Sequence, residues 1–389
     1  MKQVTVGLVG SGFSATLHAA SYPKVYGVDV RLKAVASMDA NVGKFAAQYG
    51  IRDIYRNLKD LLADPEIDVV DICTPPVLHR DMLEEIMKAG KHVICEKPLT
   101  GYCGLPGDQT PIGRHVPKQS MYEYLMESLQ TNKQLVKSSG SLFCYAENWI
   151  YAPTIRKAVE IIHAAKPKLL VLKGEESHSG SHAPHAAEWD KTGGGALIRQ
   201  GCHPLSAVLY LKQEEAKARG EIITMESITA DMGEITSRLA QQDLRYIAAR
   251  PVDVEDWAQM TVTFNDGTKA LVQAGDMILG GVRNLVEVYT NQGVMHCNIA
   301  PNTHMLNYSA GGEGLENIYI TEKVETKLGW QFVCIDEELT RGYIGELQDF
   351  MECVAYGRQP LSGYDLAYDT IKATYAAYWA AEAGIRVKL

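Results

Sequence analysis

The apolar positions change period along the chain. In the first hundred residues four short apolar runs, 4–10 (VTVGLVG), 31–37 (RLKAVAS), 69–74 (VVDICT) and 92–98 (HVICEKP), read as strands. Between them 13–22, 40–49, 58–64 and 79–90 place apolar residues three or four apart and read as amphipathic helices. The run VVDIC leaves almost no polar face, as a strand buried on both sides requires. Gly90 stands where the last of these helices should end, and glycine accepts the left-handed residue that closes a helix. This alternation predicts a doubly wound parallel sheet with right-handed crossovers.

The alternation stops at 101–119 (GYCGLPGDQTPIGRHVPKQ), where four glycines and three prolines exclude a long regular element. A lid or a subunit contact is one expectation for so long a loop, a solvent loop the other. Helix, strand and helix follow at 121–140, 141–148 and 152–165. Beyond that point strands dominate: 169–177, 223–232, 256–264, 270–277, 285–290 and 294–300, with Asn265-Asp266-Gly267 as a hairpin turn. The period-2 pattern predicts a large, mostly antiparallel open sheet. Helical periodicity returns at 345–357 and 364–384. The expected fold is therefore α/β, with a dinucleotide-binding type of domain over 1–147 and an α+β domain over 148–389.

Composition narrows the partners. The chain has 389 residues, 46% of them hydrophobic and 22% charged, so a large core is available. A net charge of −9 disfavours nucleic acid. Eight cysteines occur without a CxxC pair, which suits a reducing compartment without disulfides. No window approaches the ~18 apolar residues of a membrane span. The start, MKQVTVGLVG, lacks a signal-peptide core. The expectation is a cytoplasmic protein with no membrane partner.

The candidate chemistry lies where strands end. Gly10-Ser11-Gly12-Phe13-Ser14-Ala15 is a GxGxxA turn between a strand and a helix. The first glycine permits the tight turn, the second admits a pyrophosphate, and the small third residue lets helix and strand pack. The second strand ends at Ser37, with Asp39 two residues on, in place of the usual acid. Asp39 repels a 2′-phosphate, so NAD is expected, with NADP the alternative. Thr74, Pro75 and His79 in TPPVLH, and Glu96, Lys97 and Pro98 in CEKPL, follow strands whose carboxyl ends border the ligand crevice of a wound sheet. Further on, Gly193–Gly195 lead into Arg199 and His203, which share a face if the chain turns α-helical there. His178, His182 and His185 fall within eight residues, and Trp189 follows them. Their spacing matches no metal template, so hydrogen bonding to a polyol, with Trp189 stacked on a sugar ring, is the reading carried forward and no metal is expected. Asn148 closes the strand that joins the domains and is expected to border nicotinamide or substrate.

Taken in order, GSGFSATLHA, TPPVLH, EKP and GGGALIRQGCH resemble the Gfo/Idh/MocA oxidoreductases, the glucose-fructose oxidoreductase and inositol dehydrogenase group, and the likeness runs through EDWAQMTVTFNDGTKALVQAG to the last helix. The resemblance implies a Rossmann domain, with Lys97 beside the nicotinamide and His203 as a proton-transfer residue. It also implies a homodimer or homotetramer. The family pattern has aspartates where this sequence has Arg199 and Ser206. Arg199 is expected to lower the pKa of Lys97 or His203, or to hold a substrate oxygen, and the three glycines to let backbone approach the ligand. The implied activity is oxidation of a secondary hydroxyl of a sugar, glycoside or cyclitol to a ketone, or the reverse. The alternatives are cleavage of a glycoside through a keto-sugar, and a dinucleotide-binding subunit without chemistry.

Overall fold

The computed structural model describes residues 1–300 and 305–389. Six strands, β1 (Gln3–Val9), β2 (Asp29–Ala36), β3 (Asp53–Tyr55), β4 (Val69–Ile72), β5 (His92–Glu96) and β6 (Phe143–Ala146), form one all-parallel sheet in the order 3-2-1-4-5-6. Val4–Val9 and all of β4 are buried, which explains their near-continuous apolar sequence. The order reverses between β1 and β4, and this switch point opens a crevice at the carboxyl ends of the strands.

The second sheet collects β7 (Leu169–Ser177), β8 (Met225–Gly233), β9 (Trp257–Phe264), β10 (Lys269–Gly275), β11 (Arg283–Thr290) and β12 (Val294–Asn298), and β15 (Val387–Lys388) closes its edge. All pairs are antiparallel except β7 with β10. The Asn265–Gly267 turn joins β9 to β10, and Gly267 supplies the positive φ of +82° that the hairpin needs. The helix Cys202–Arg219 is buried at every position from Cys202 to Leu211. It lies against β7 and the helices Pro153–Ala165 and Tyr364–Ala383, so it carries no polar stripe. A two-stranded hairpin, β13 (Leu306–Ser309) and β14 (Gly329–Phe332), has no periodic signature in the sequence. All eight cysteines are free. Among the described residues no helix is long and apolar enough to cross a membrane.

The 101–119 stretch is not a free solvent loop. It is a strap packed on the second domain. Tyr102 N–H donates to Tyr375 Oη (2.6 Å), Gly113 N–H to Asp253 Oδ2 (2.9 Å), and Arg114 reaches Glu234 and the Val252 carbonyl. A Cβ on Gly113 would strike the Asp253 carbonyl oxygen, so glycine is what lets the strap lie so close. The stretch also holds a short helix, Ile112–His115.

Candidate active site

The glycine turn is shaped for an anion. Gly10 has φ +106°, and a Cβ there would collide with the carbonyl oxygen of Cys73. Glycine alone lets the end of β1 pass the end of β4 this closely. Gly12 caps the helix Phe13–Ser21 without a side-chain hydrogen bond. The first N–H groups of that helix therefore face outward unsatisfied, as a diphosphate requires. Gly10 to Ser14 all keep solvent access, Phe13 most of all. Ser37 Oγ lies 2.9 Å from Ser11 Oγ, beside the turn. Asp39 is exposed and accepts the Asn41 N–H (2.7 Å) at the entry of the next helix.

Thr74 and Pro75 follow β4 and stay accessible. His79 does not reach a cofactor. It is sealed, with Nδ1 2.9 Å from the Pro98 carbonyl and Nε2 2.8 Å from the Thr74 carbonyl. The neutral ring sits between the two loops with a carbonyl facing each nitrogen and donates its single N–H to one of them.

Glu96 Oε2 accepts the Lys97 N–H (2.9 Å), and Oε1 lies 3.3 Å from Nε2 of the buried His18. Burial opposes ionisation of Glu96, but His18, Lys97 and His203 outweigh it and hold the carboxyl below its ordinary range. Lys97 Nζ donates to the carbonyl of Arg199 at 3.1 Å. Burial works against the ammonium here too, yet the Cys202 sulfur and the carboxylates of Glu96, Glu176 and Glu147 overcome it and raise the pKa. Lys97 is thus a cation at neutral pH, not the neutral base that a nearby guanidinium would make it.

Arg199 explains the difference. Residues Leu197–Gly201 form a π-helical turn, not an α-helical one. The wider turn changes the angular spacing that an α-helix would give positions four apart. The Arg199 guanidinium pairs with Asp276, whose other oxygen accepts from Gln200 Nε2 (2.8 Å). Only the Arg199 backbone serves Lys97. The three glycines answer to packing as well. A Cβ on Gly193 would lie 2.7 Å from Gly101 Cα, one on Gly194 would strike the Tyr378 hydroxyl, and one on Gly195 the Glu255 carbonyl. They admit the strap, the last helix and the segment leading into β9, not a ligand.

His203 is 5% exposed. Its Nδ1 lies 2.6 Å from Glu147 Oε1, and its ring stacks on Trp149 with centroids 5.7 Å apart and planes 12° apart. Glu147 and Trp149 follow directly on β6. Glu176, near the end of β7, faces the same space. Burial raises its pKa against the pull of His203, Lys97 and Arg341. His178 accepts the Gly180 N–H on Nδ1 (2.9 Å), and burial pushes it down to about 4, so it is neutral at physiological pH. The buried Arg341, paired with Glu322 and Glu337, lines a cavity of about 480 Å³ with Phe13, Leu17 and Tyr343. His182 is exposed and lines a second cavity of about 330 Å³ with Arg199, Arg250 and Asp276. His185 is exposed and lines neither.

Two sequence candidates leave the site. Trp189 is 2% exposed. Its Nε1 donates to the Tyr102 carbonyl (3.0 Å), Lys118 Nζ sits 4.6 Å over its ring, and Tyr378 packs at 4.8 Å. It is the anchor of the strap and has no face left for a sugar. Asn148 is buried and donates to the Arg341 carbonyl (2.8 Å), tying the domain junction to the segment that carries Arg341.

A 3-2-1-4-5-6 parallel sheet with an open glycine turn at its switch point defines a Rossmann dinucleotide-binding fold. Residues 4–103 match the profile of an oxidoreductase family with an NAD-binding Rossmann fold, and residues 169–296 match the GFO/IDH/MocA C-terminal domain. The chain belongs to the Gfo/Idh/MocA family. Levoglucosan dehydrogenase of Pseudarthrobacter phenanthrenivorans is 25% identical, over 70% of this chain and 68% of its own. Myo-inositol 2-dehydrogenase of Thermotoga maritima is 22% identical, over 92% and 91%. Among solved structures, GenD2 from gentamicin A biosynthesis in complex with NAD superposes with a TM-score of 0.79 at 21% identity, covering 100% of this chain and 97% of that one.

Proposed function

We propose that this protein is a dehydrogenase that moves a hydride between NAD and the secondary alcohol carbon of a sugar, glycoside or cyclitol. The observation that carries the reading is that Lys97 and His203, distant in sequence, both face Glu96 and Glu176. Lys97 is held by the Arg199 carbonyl, and His203 by Glu147. The names of the levoglucosan and inositol dehydrogenases among the relatives support the same substrate class.

Bound NAD would supply the hydride acceptor, its diphosphate held at the Gly10–Ser14 turn. The chain supplies the rest. His203 takes the hydroxyl proton at Nε2, a step worth about 10²- to 10⁴-fold. Lys97, held charged, donates a hydrogen bond to the same oxygen and stabilises the negative charge that grows as the proton leaves. His178, neutral, offers Nε2–H to a neighbouring hydroxyl.

The test is turnover. Purified protein with NAD and a panel of inositols, anhydrosugars and glycosides should give rising absorbance at the reduced-nicotinamide band. Lys97→Met should lower kcat/KM by about 10²- to 10⁴-fold while NAD affinity holds. A protein that binds NAD and reduces it with no member of the panel refutes the proposal, as does a fully active K97M.

A further inference from the structure

We propose that Glu147 is the positioning residue for His203, fixing its tautomer and its basicity for proton transfer. The proposal rests on the dehydrogenase reading for its role in turnover. The pairing itself stands on geometry alone.

Glu147 sits one residue past β6 and caps the short turn Asn148–Tyr151. It is fully buried. Oε1 lies 2.6 Å from His203 Nδ1 and also accepts the Trp149 N–H at 3.4 Å, while Oε2 has no partner among the described residues. A carboxylate can only accept. The imidazole must therefore carry its proton on Nδ1, which leaves the Nε2 lone pair as the base. Nε2 has no hydrogen-bond partner among the described residues. The Trp149 ring, stacked nearly parallel to the imidazole, fixes the plane in which that lone pair points. Tautomer and plane are thus both set by residues of one short segment.

Other charges face His203 from each side. Glu96 arrives from β5, but its oxygens serve His18 and the Lys97 N–H. Glu176 arrives from β7 without a hydrogen bond to the ring, and Lys97 opposes both from the EKP loop. Cys202 precedes His203 on its own helix. Among the described residues Glu147 alone is bonded to the imidazole. When a substrate O–H proton passes to Nε2 and the hydride leaves the same carbon for NAD, the ring becomes an imidazolium against a carboxylate already in place. No rearrangement is needed at that moment.

The test compares wild type, Glu147→Gln, Glu147→Asp and Glu147→Ala. Proteins with 15N-labelled histidine are read by NMR at both ring nitrogens, with His203→Gln identifying the resonances. The neutral wild-type ring should carry its proton on Nδ1. Glutamine still accepts the Nδ1–H through its carbonyl oxygen, so E147Q should keep that tautomer, change the pH profile of kcat/KM and lose about 10-fold in kcat. E147A should lose the single tautomer and about 10²-fold or more in kcat, with KM within about threefold and E147D intermediate. Should E147A fail to fold, E147Q carries the comparison. A neutral wild-type ring protonated on Nε2 overturns the proposal, and so does turnover of E147A, or of E147Q in its place, at the wild-type rate and pH profile. A wild type that is inert towards the whole panel while His203 holds the Nδ1–H tautomer overturns the dehydrogenase reading and upholds the pairing.

Discussion

Acid should weaken this protein through His178. Burial lowers its pKa from the ordinary 6.5 to about 4. In the unfolded chain the ring takes up a proton near 6.5, and in the folded chain it resists until about 4. Between those values the unfolded state binds more protons, so stability rises with pH there and is lost as pH falls. The neutral ring therefore costs nothing above about pH 7. From the two values, the folded state is about 2.5 kcal/mol worse off at pH 4.5 than at pH 7.5, at 1.36 kcal/mol per unit. His178→Asn removes the titration and keeps the local bond, because the asparagine Oδ1 can take the Gly180 N–H that Nδ1 now accepts. Urea unfolding followed by tryptophan fluorescence at pH 7.5, 6.5, 5.5 and 4.5 measures both proteins. The wild type should lose about 2.5 kcal/mol more than H178N across that range. Parallel curves within about 0.5 kcal/mol would show that the imidazole is hydrated or charged in the fold, and the assignment of a neutral His178 beside the site would fall.

Gly10→Ala should weaken NAD binding and stability together. The positive φ and the Cys73 carbonyl cost about 1–3 kcal/mol in backbone strain alone, read by thermal melts and by NAD titration; an unchanged NAD affinity would contradict the placement of the diphosphate. Trp189→Ala should lower stability by about 3–5 kcal/mol, and Trp189→Phe should leave KM for any active polyol within about twofold. A selective rise in KM in W189F would restore the stacking role that the structure denies.

Apart from β3, a short, half-exposed edge strand, the strands and helices of the first hundred residues were legible because burial on both faces of a parallel sheet, and on one face of its helices, writes directly into the period of the sequence. Gly10 was legible for a related reason: its φ of +106° can be met by few residue types. The second sheet showed itself through alternation and the Asn265–Gly267 turn. Lys97 and His203 came from order and spacing matched to a family, not from any local pattern. What escaped was set by long-range contact. Arg199 read as a neighbour of His203 on an α-helix, yet a π turn and Asp276, far along the chain, turn its side chain elsewhere. Trp189 read as a sugar platform because nothing local announces Tyr102 or Tyr378. Glu147 was visible at the end of a strand, but its pairing with His203 depends on how the turn Asn148–Tyr151 packs on the helix Cys202–Arg219. A glutamate set directly after an apolar strand, as Glu147 is after Phe143–Ala146, is the signal that could have marked the wall of the site.

The strap from Gly101 to Lys118 has a mechanical consequence. It rivets the nucleotide half of the molecule to the sheet half by backbone bonds to Asp253 and Tyr375 and by the ring of Trp189. Any motion that parts the two halves has to break those bonds first.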